Sequence, residues 1–340
     1  MFPKLNKIRS RSIVVMHDFF IDRIVQLDNF NSLISEVNAK LKVGGGSIRG
    51  IKQNEIKGGN AVNIAYALAK LGAKISLITV ADNFGRNILQ NTFSSFTNKK
   101  LLISNGRQGH TVSFEVEKNG RRANVMISDV GDTGNFGVNK LNEKELNIIK
   151  GASAVVIANW GSNKNGTELA MKAFKNSHKN ALCFLDPADI SGRKDEFRQC
   201  LHELSGCIDV LSLNENECRL TMKSMNLSPL PINYSNVDIV TATKTLASNL
   251  SINVDLHTPL GSATSDGKET SFAKSLEVNV TISTGAGDIW DAADIVGYLC
   301  QLNSSERLIF ANLCAAFYIS RIKSPTLYEA SKFLKFTNIQ

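Results

Sequence analysis

Short apolar runs alternate with longer stretches of helical period along most of the chain. The runs Ser12–Met16, Lys74–Val80, Ala154–Ala158, Ala181–Leu185, Val210–Leu213 and Asn253–His257 carry the strand signal. Helical spacing follows at Ala61–Leu71, Leu141–Lys150, Gly166–Asn176 and Ser235–Leu250, and again at Asp288–Cys300, Ser305–Ile322 and Thr326–Leu334. Gly72 stands where a helix C-terminal cap belongs, just before the next strand. Strand–helix alternation of this kind predicts a parallel α/β sheet.

Two regions break the rhythm. Residues 23–57 carry the run Gly44–Gly46 and Gly50, and residues 107–128 alternate as Val112, Phe114, Val116 before the turn Lys118–Asn119–Gly120. Together they predict a small second sheet, which is either a lid over a cleft or an ordinary surface hairpin. The expected division is therefore 11–22, 58–106 and 129–340 for the α/β domain, with 23–57 and 107–128 for the lid. No internal repeat or low-complexity segment interrupts it.

At 340 residues and 43% hydrophobic composition, the chain can build one large core with a satellite. Its formal net charge of +8 favours anions in general. The basic residues are dispersed, with only short clusters at Lys4–Arg11 and Arg121–Arg122, which argues against a nucleic-acid surface. Cys183, Cys200, Cys207, Cys218, Cys300 and Cys314 form no C-x-x-C pair and read as small core residues of a reducing compartment. The apolar run after the basic amino terminus stops at His17–Asp18, too short for a signal peptide or a membrane span. The expectation is a soluble, cytoplasmic protein with no membrane partner.

Four segments carry candidate chemistry. In Ser283-Thr284-Gly285-Ala286-Gly287-Asp288, small residues open a helix, so bare N–H groups and the helix dipole offer an anion hole. Asp288 in the first turn is placed to take the proton of an attacking hydroxyl; the plain alternative is an ordinary acidic helix start. Gly58-Gly59-Asn60-Ala61-Val62-Asn63 opens another helix, with Asn60 and Asn63 offering amides to a polyol, although Asn60 also makes a good N-cap. Asp82-Asn83-Phe84-Gly85 lies beyond a strand end, where ligands bind in open sheets, and also reads as a simple turn. Asn214-x-x-Glu217 suits a hydrated magnesium ion and its phosphate, or else a capping box. Two glycine patterns are set aside. Gly161–Gly166 is followed by Thr167-Glu168 instead of the P-loop Lys-Ser/Thr, and Arg49 interrupts the glycines of Gly44–Gly50. The five histidines show no metal-ligand spacing.

Taken in order, Gly58-Gly59-Asn60-Ala61-Val62-Asn63, Asp82-Asn83-Phe84-Gly85, Asn214-x-x-Glu217 and Thr284-Gly285-Ala286-Gly287-Asp288 closely resemble the ribokinase/PfkB sugar-kinase family, from Ile13 to about Leu334. The resemblance implies a ribokinase-like, doubly wound, mostly parallel α/β sheet flanked by helices, with a small β lid. It also implies ATP-dependent phosphorylation of a sugar, sugar phosphate or nucleoside. It implies that Asp22, Gly58, Gly59, Asn60 and Asn63 hold the acceptor; from its place at the end of Ala154–Ala158, Asn159-Trp160 either lines the acceptor site or, for the Trp, simply packs. Asp288 would be the base and Gly285, Ala286 and Gly287 the anion hole. Asn214 and Glu217 would place Mg2+ and phosphate. Thr258, Gly261 and Asn312 would contact nucleotide, and the lid would pair two copies into a homodimer. The chain departs from the family at His17, where glycine is usual, and at Ile282, where an Asp helps bind potassium. It also departs at Trp290, in place of Phe and expected to be a packing change, and by an extra residue within Thr258–Gly261. A non-catalytic sensor of the same fold, binding a sugar or nucleoside, is the alternative. Arg107, Lys118, Arg121 and Arg122 on the lid are either phosphate ligands or solvated hairpin charges.

Overall fold

The computed structural model describes residues 1–118 and 121–336, the side chains of 117, 118, 121–124 and 336 excepted. Its strands are β1 (Ser12–His17), β2 (Phe20–Leu27), β3 (Gln53–Gly58), β4 (Lys74–Ala81), β5 (Lys99–Asn105), β6 (Gly109–Lys118) and β7 (Arg121–Asp129). They continue with β8 (Ala154–Ala158), β9 (Leu182–Asp186), β10 (Val210–Asn214), β11 (Asn253–His257), β12 (Gly261–Ser265) and β13 (Thr270–Lys274). The helices are α1 (Phe2–Leu5), α2 (Phe30–Lys42), α3 (Asn60–Lys70), α4 (Asn83–Thr92), α5 (Glu143–Lys150) and α6 (Gly166–Asn176). After these come α7 (Lys194–Glu203), α8 (Glu215–Ser224), α9 (Asn236–Leu250), α10 (Ala286–Leu299), α11 (Ser304–Arg321) and α12 (Leu327–Phe336).

Nine strands form one sheet in the order β13-β12-β11-β10-β9-β8-β1-β4-β5. Pairing is parallel from β5 to β11 and antiparallel only at the β11–β12–β13 edge. The sheet is buried on both faces because successive side chains point to opposite sides. In β1, Ile13 and Val15 enter the layer shared with α3, α10 and α11, while Val14 and Met16 enter the opposite layer with Leu169, Phe197 and Leu246. This two-sided burial is what made β1, β4, β8, β9, β10 and β11 continuous apolar runs. α3 and α10 share one layer through small residues, Ala61, Ala65, Ala292 and Ala293, all fully buried.

The second sheet has the order β3-β2-β6-β7. Asn119 and Gly120 of the expected turn Lys118–Asn119–Gly120, and the side chains of Lys118, Arg121 and Arg122, lie outside the described residues. One prediction needs correcting here. The stretch 23–57, expected to contribute only β structure to the small sheet, also contains the 13-residue helix α2, capped by Asn29 and with no buried side chain. β5, β12 and β13 also carry too many polar residues to have been read as strands. The six cysteines are free thiols, five buried and Cys207 half-buried. Among the described residues, no helix is long and apolar enough to cross a membrane.

Candidate active site

β1 lies between β4 and β8, and the chain winds outward from it in both directions. The loops after β1 and β8 therefore separate and leave a crevice at the carboxyl ends of the strands. Asp18, directly after β1, is fully buried there. Its carboxylate accepts from the N–H of Asn60 at 2.9 Å, the N–H of Ala61 at 2.7 Å and Asn159 Nδ2 at 2.8 Å. It thus caps α3 from a distant point of the chain, satisfying N–H groups that the first turn leaves free. The local cap residue, Gly59, has φ +93°, and a Cβ on it would sit 3.0 Å from the Asp18 carbonyl oxygen. Gly58 is required for a related reason: a Cβ there would overlap the Asp22 carboxylate. Burial raises the Asp22 carboxyl to about 6, with a Thr111 hydrogen bond opposing.

The two helix starts singled out in the sequence meet in this crevice. Asn63 Nδ2 donates to Asp288 Oδ2 at 2.9 Å, and Lys57 Nζ donates to Asn63 Oδ1 at 2.7 Å. Asp288, in the first turn of α10, is 6% exposed. Burial and then the Asp186 charge push its carboxyl well above the usual range, while the Asn63 bond and the Lys57 charge oppose them. Gly285 adopts φ +82°, and a Cβ there would sit 3.0 Å from Tyr318 Oη. A Cβ on Gly287 would lie 3.1 Å from His257 Cε1. One amide of the turn is used internally: Ala286 N–H donates to Ser283 O at 3.2 Å. Gly287 and Asp288 lie in the first turn, whose N–H groups have no carbonyl within the helix to meet.

An acidic side faces this pair. Asp186 ends β9 and accepts from Ala188 N–H at 2.9 Å and Asn60 Nδ2 at 3.3 Å. Burial raises it to about 6, and its charge in turn raises Glu217, Asp288 and Asp291. Asn214 and Glu217 form the capping box of α8: Glu217 accepts from the Asn214 N–H at 2.8 Å and Asn214 Nδ2 at 2.6 Å. Among the described residues, no three His, Cys, Asp or Glu side chains are gathered as a ready metal-binding group.

Several residues marked out by the sequence make structural contacts. Asn312 accepts from Ser262 Oγ and Trp290 Nε1, both at 2.8 Å, and donates to the Ala273 and Lys274 carbonyls at 3.1 and 3.2 Å. Its polar atoms are engaged in binding α11 to α10 and the sheet edge. Trp290 is accordingly a hydrogen-bond donor as well as a packing residue. Thr258 and Gly261 close the β11–β12 turn on each other, Thr258 Oγ1 donating to Gly261 O at 2.8 Å. Asp82 caps α4 through Gly85 N–H at 2.8 Å. Trp160 is buried beneath Arg193, 4.3 Å from its ring centroid, so its face is not open to an acceptor. Arg107 pairs with Asp129 at 2.8 Å. Motif reading did not single out Asp18, Asp186 or Lys57. The available signal was a carboxylate at the end of an apolar run for the first two, and a lysine directly before a glycine pair for the third.

The model for the pfkB family of carbohydrate kinases matches residues 25–328. The 5-dehydro-2-deoxygluconokinase of Clostridium botulinum (strain Alaska E43 / Type E3) is 25% identical over 293 residues, 82% of this chain and 84% of that protein. Adenosine kinase from Sinorhizobium meliloti shares the fold with a TM-score of 0.73 at 16% identity, over 96% of this chain and 98% of that one. Arabidopsis thaliana ribokinase complexed with ribose and ATP does so with a TM-score of 0.71 at 18% identity, over 96% and 99%. With the family model spanning nearly the whole chain on a ribokinase-like fold, this chain belongs to the pfkB family of carbohydrate kinases and is a phosphotransferase acting on a sugar hydroxyl.

Proposed function

We propose that this kinase uses ATP to phosphorylate a small polyhydroxylated acceptor, with Asp288 as the base. The observation that carries the reading is the Asn63–Asp288 hydrogen bond of 2.9 Å, which brings an acceptor-binding amide and a carboxylate to one point at the head of α10. The acceptor side is lined by Asp22, Asn60, Asn63 and Asn159, amides and carboxylates suited to hydroxyl groups. Asp288 takes the proton of the attacking hydroxyl while first-turn amides of α10 face the transferring phosphoryl group. The small sheet closes over the crevice as a lid and keeps water from the phosphoryl group.

Magnesium fits the acidic side. The Asp186 charge raises the carboxyls of Glu217, Asp288 and Asp291, which is the setting a divalent cation relieves. Because Glu217 already takes two bonds from Asn214, Asp186 and Glu217 would hold the ion through its water shell. When bound, the ion offsets charge on the phosphates.

The test is a coupled ADP-release assay with Mg-ATP over 5-dehydro-2-deoxygluconate, free pentoses and hexoses, sugar phosphates and adenosine. Turnover with a free sugar or sugar acid is expected. In Asp288→Asn that turnover should fall by about 10²–10⁴-fold with acceptor binding retained. Near-normal phosphorylation by the variant would remove Asp288 from the mechanism. Tight binding without turnover across the panel would identify a sensor.

A further inference from the structure

Lys57 lies one residue before Gly58, the last residue of the lid strand β3, and belongs to none of the motifs that marked the site. Its Nζ donates to Asn63 Oδ1 at 2.7 Å and lies 4.7 Å from the centre of the Tyr66 ring. An amide has one acceptor end and one donor end. With its oxygen facing the ammonium, the Asn63 amide must turn its NH₂ toward Asp288. We propose that Lys57 is a positioning residue for phosphoryl transfer: its ammonium fixes the Asn63 amide that holds Asp288, and its positive charge works against protonation of that carboxylate. The inference rests on Asp288 being the base.

Asp288 needs such help, because burial, Asp186 and Asp18 all favour its protonated form, and Lys57 supplies the opposing charge. Besides Asp288, Lys57 feels the Asp22 carboxylate on β2 and lies over the Tyr66 ring on α3. Lys70 also lies over the Tyr66 ring, Arg86 Nη2 donates to Asn105 Oδ1 at 2.8 Å, and the nearby Arg23 and Glu55 pair with each other. Burial lowers Lys57 to about 8, while Asp288 and Asp22 oppose the shift. Its charge is therefore present below pH 8 and lost as the pH rises through that value.

The test compares kcat and KM from pH 5.5 to 9.5 for wild type, Lys57→Met, Lys57→Arg and Asp288→Asn, using the acceptor of the panel that wild type phosphorylates fastest. Lys57→Met should lose at least about tenfold in kcat, with KM for ATP unchanged. The acid limb of its profile should move to higher pH, since Asp288 loses its counter-charge. Lys57→Arg should keep the rate below pH 8 and lose the alkaline decline, because a guanidinium does not titrate there. Wild-type kcat and an unmoved acid limb in Lys57→Met would overturn the inference. If Lys57→Met does not fold, an alkaline decline that persists in Lys57→Arg overturns it instead. Loss of activity in Asp288→Asn alongside a normal Lys57→Met refutes the role of Lys57 alone, whereas an active Asp288→Asn refutes the base on which it rests.

Discussion

A single buried imidazole shows how residue chemistry sets the response of this molecule to acid. His17, where the family usually has glycine, is fully buried 5.8 Å from the Phe136 ring. Neither ring nitrogen has a hydrogen-bond partner among the described residues. Burial lowers it to about 3, so the folded protein refuses a proton that the unfolded chain accepts below about pH 6.5. The unfolded state then binds more protons, and stability falls as the pH drops from 6.5 toward 3. His17→Leu removes this penalty together with an unsatisfied buried N–H. Urea unfolding at pH 7 and pH 5 should show the difference between variant and wild type widening by about 2 kcal/mol at the lower pH. A difference that does not change with pH would show that the imidazole does not behave as a buried neutral group. His257 stands in the same relation to acid, lowered by burial to about 4, and adds to the decline in both proteins.

Between elements, a buried ionic knot ties α10 and α11 to the sheet edge. Arg307 of α11 donates to Asp255 of β11 at 3.0 Å and to Asp294 of α10, and its Nη2 reaches Thr264 Oγ1 of β12 at 2.7 Å. Its guanidinium lies 3.7 Å from the Tyr298 ring centre, and its aliphatic stem fills space that Gly297 leaves open. Both carboxylate side chains are fully buried, so removing the cation strands two charges. Arg307→Met should cost about 3–5 kcal/mol in urea unfolding, and adding Asp255→Asn and Asp294→Asn should recover at least half of the loss. Equal loss in the triple variant would mean that packing, not charge, holds the knot. None of this was legible in the sequence, because the partners lie on four separate elements. What was legible follows the same logic. Strands such as Ala154–Ala158, buried on both faces, wrote themselves as apolar runs, whereas Gly261–Ser265 and Thr270–Lys274 are small and polar strands. The helix Phe30–Lys42, between two strands of the small sheet, buries no side chain, so no core demanded a continuous apolar stripe from it. At the site, helix starts such as Gly58–Asn63 and Gly285–Asp288 announced themselves by local composition. Asp18 caps its helix from 42 residues away, a distance across which no local pattern runs.

Across the whole molecule, the crevice gathers more negative charge than its own cations balance, although the chain as a whole is basic at +8. The imbalance arises because two strand ends and a helix start deliver carboxylates to one place: Asp18 after β1, Asp186 at β9 and Asp288 on α10. A folded carboxyl raised above its unfolded value stabilises the protein at low pH and loses that contribution as the pH rises through the folded value. For Asp22 and Asp186, both raised to about 6, the contribution is gone by pH 8, so the ligand-free protein carries the repulsion of these two carboxylates there. A cation that binds the folded crevice stabilises it by mass action, and protons compete with that cation as the pH falls. Thermal melts should therefore rise on adding millimolar MgCl2 at pH 8 and change little at pH 5.5, with NaCl of matched ionic strength as the control. Asp186→Asn, which removes the charge acting on Glu217, Asp288 and Asp291, should melt higher than wild type without magnesium and respond less to it. If the shift were the same at both pH values, or NaCl reproduced it, magnesium would be acting on the general surface. The crevice would then owe its carboxylates to folding alone.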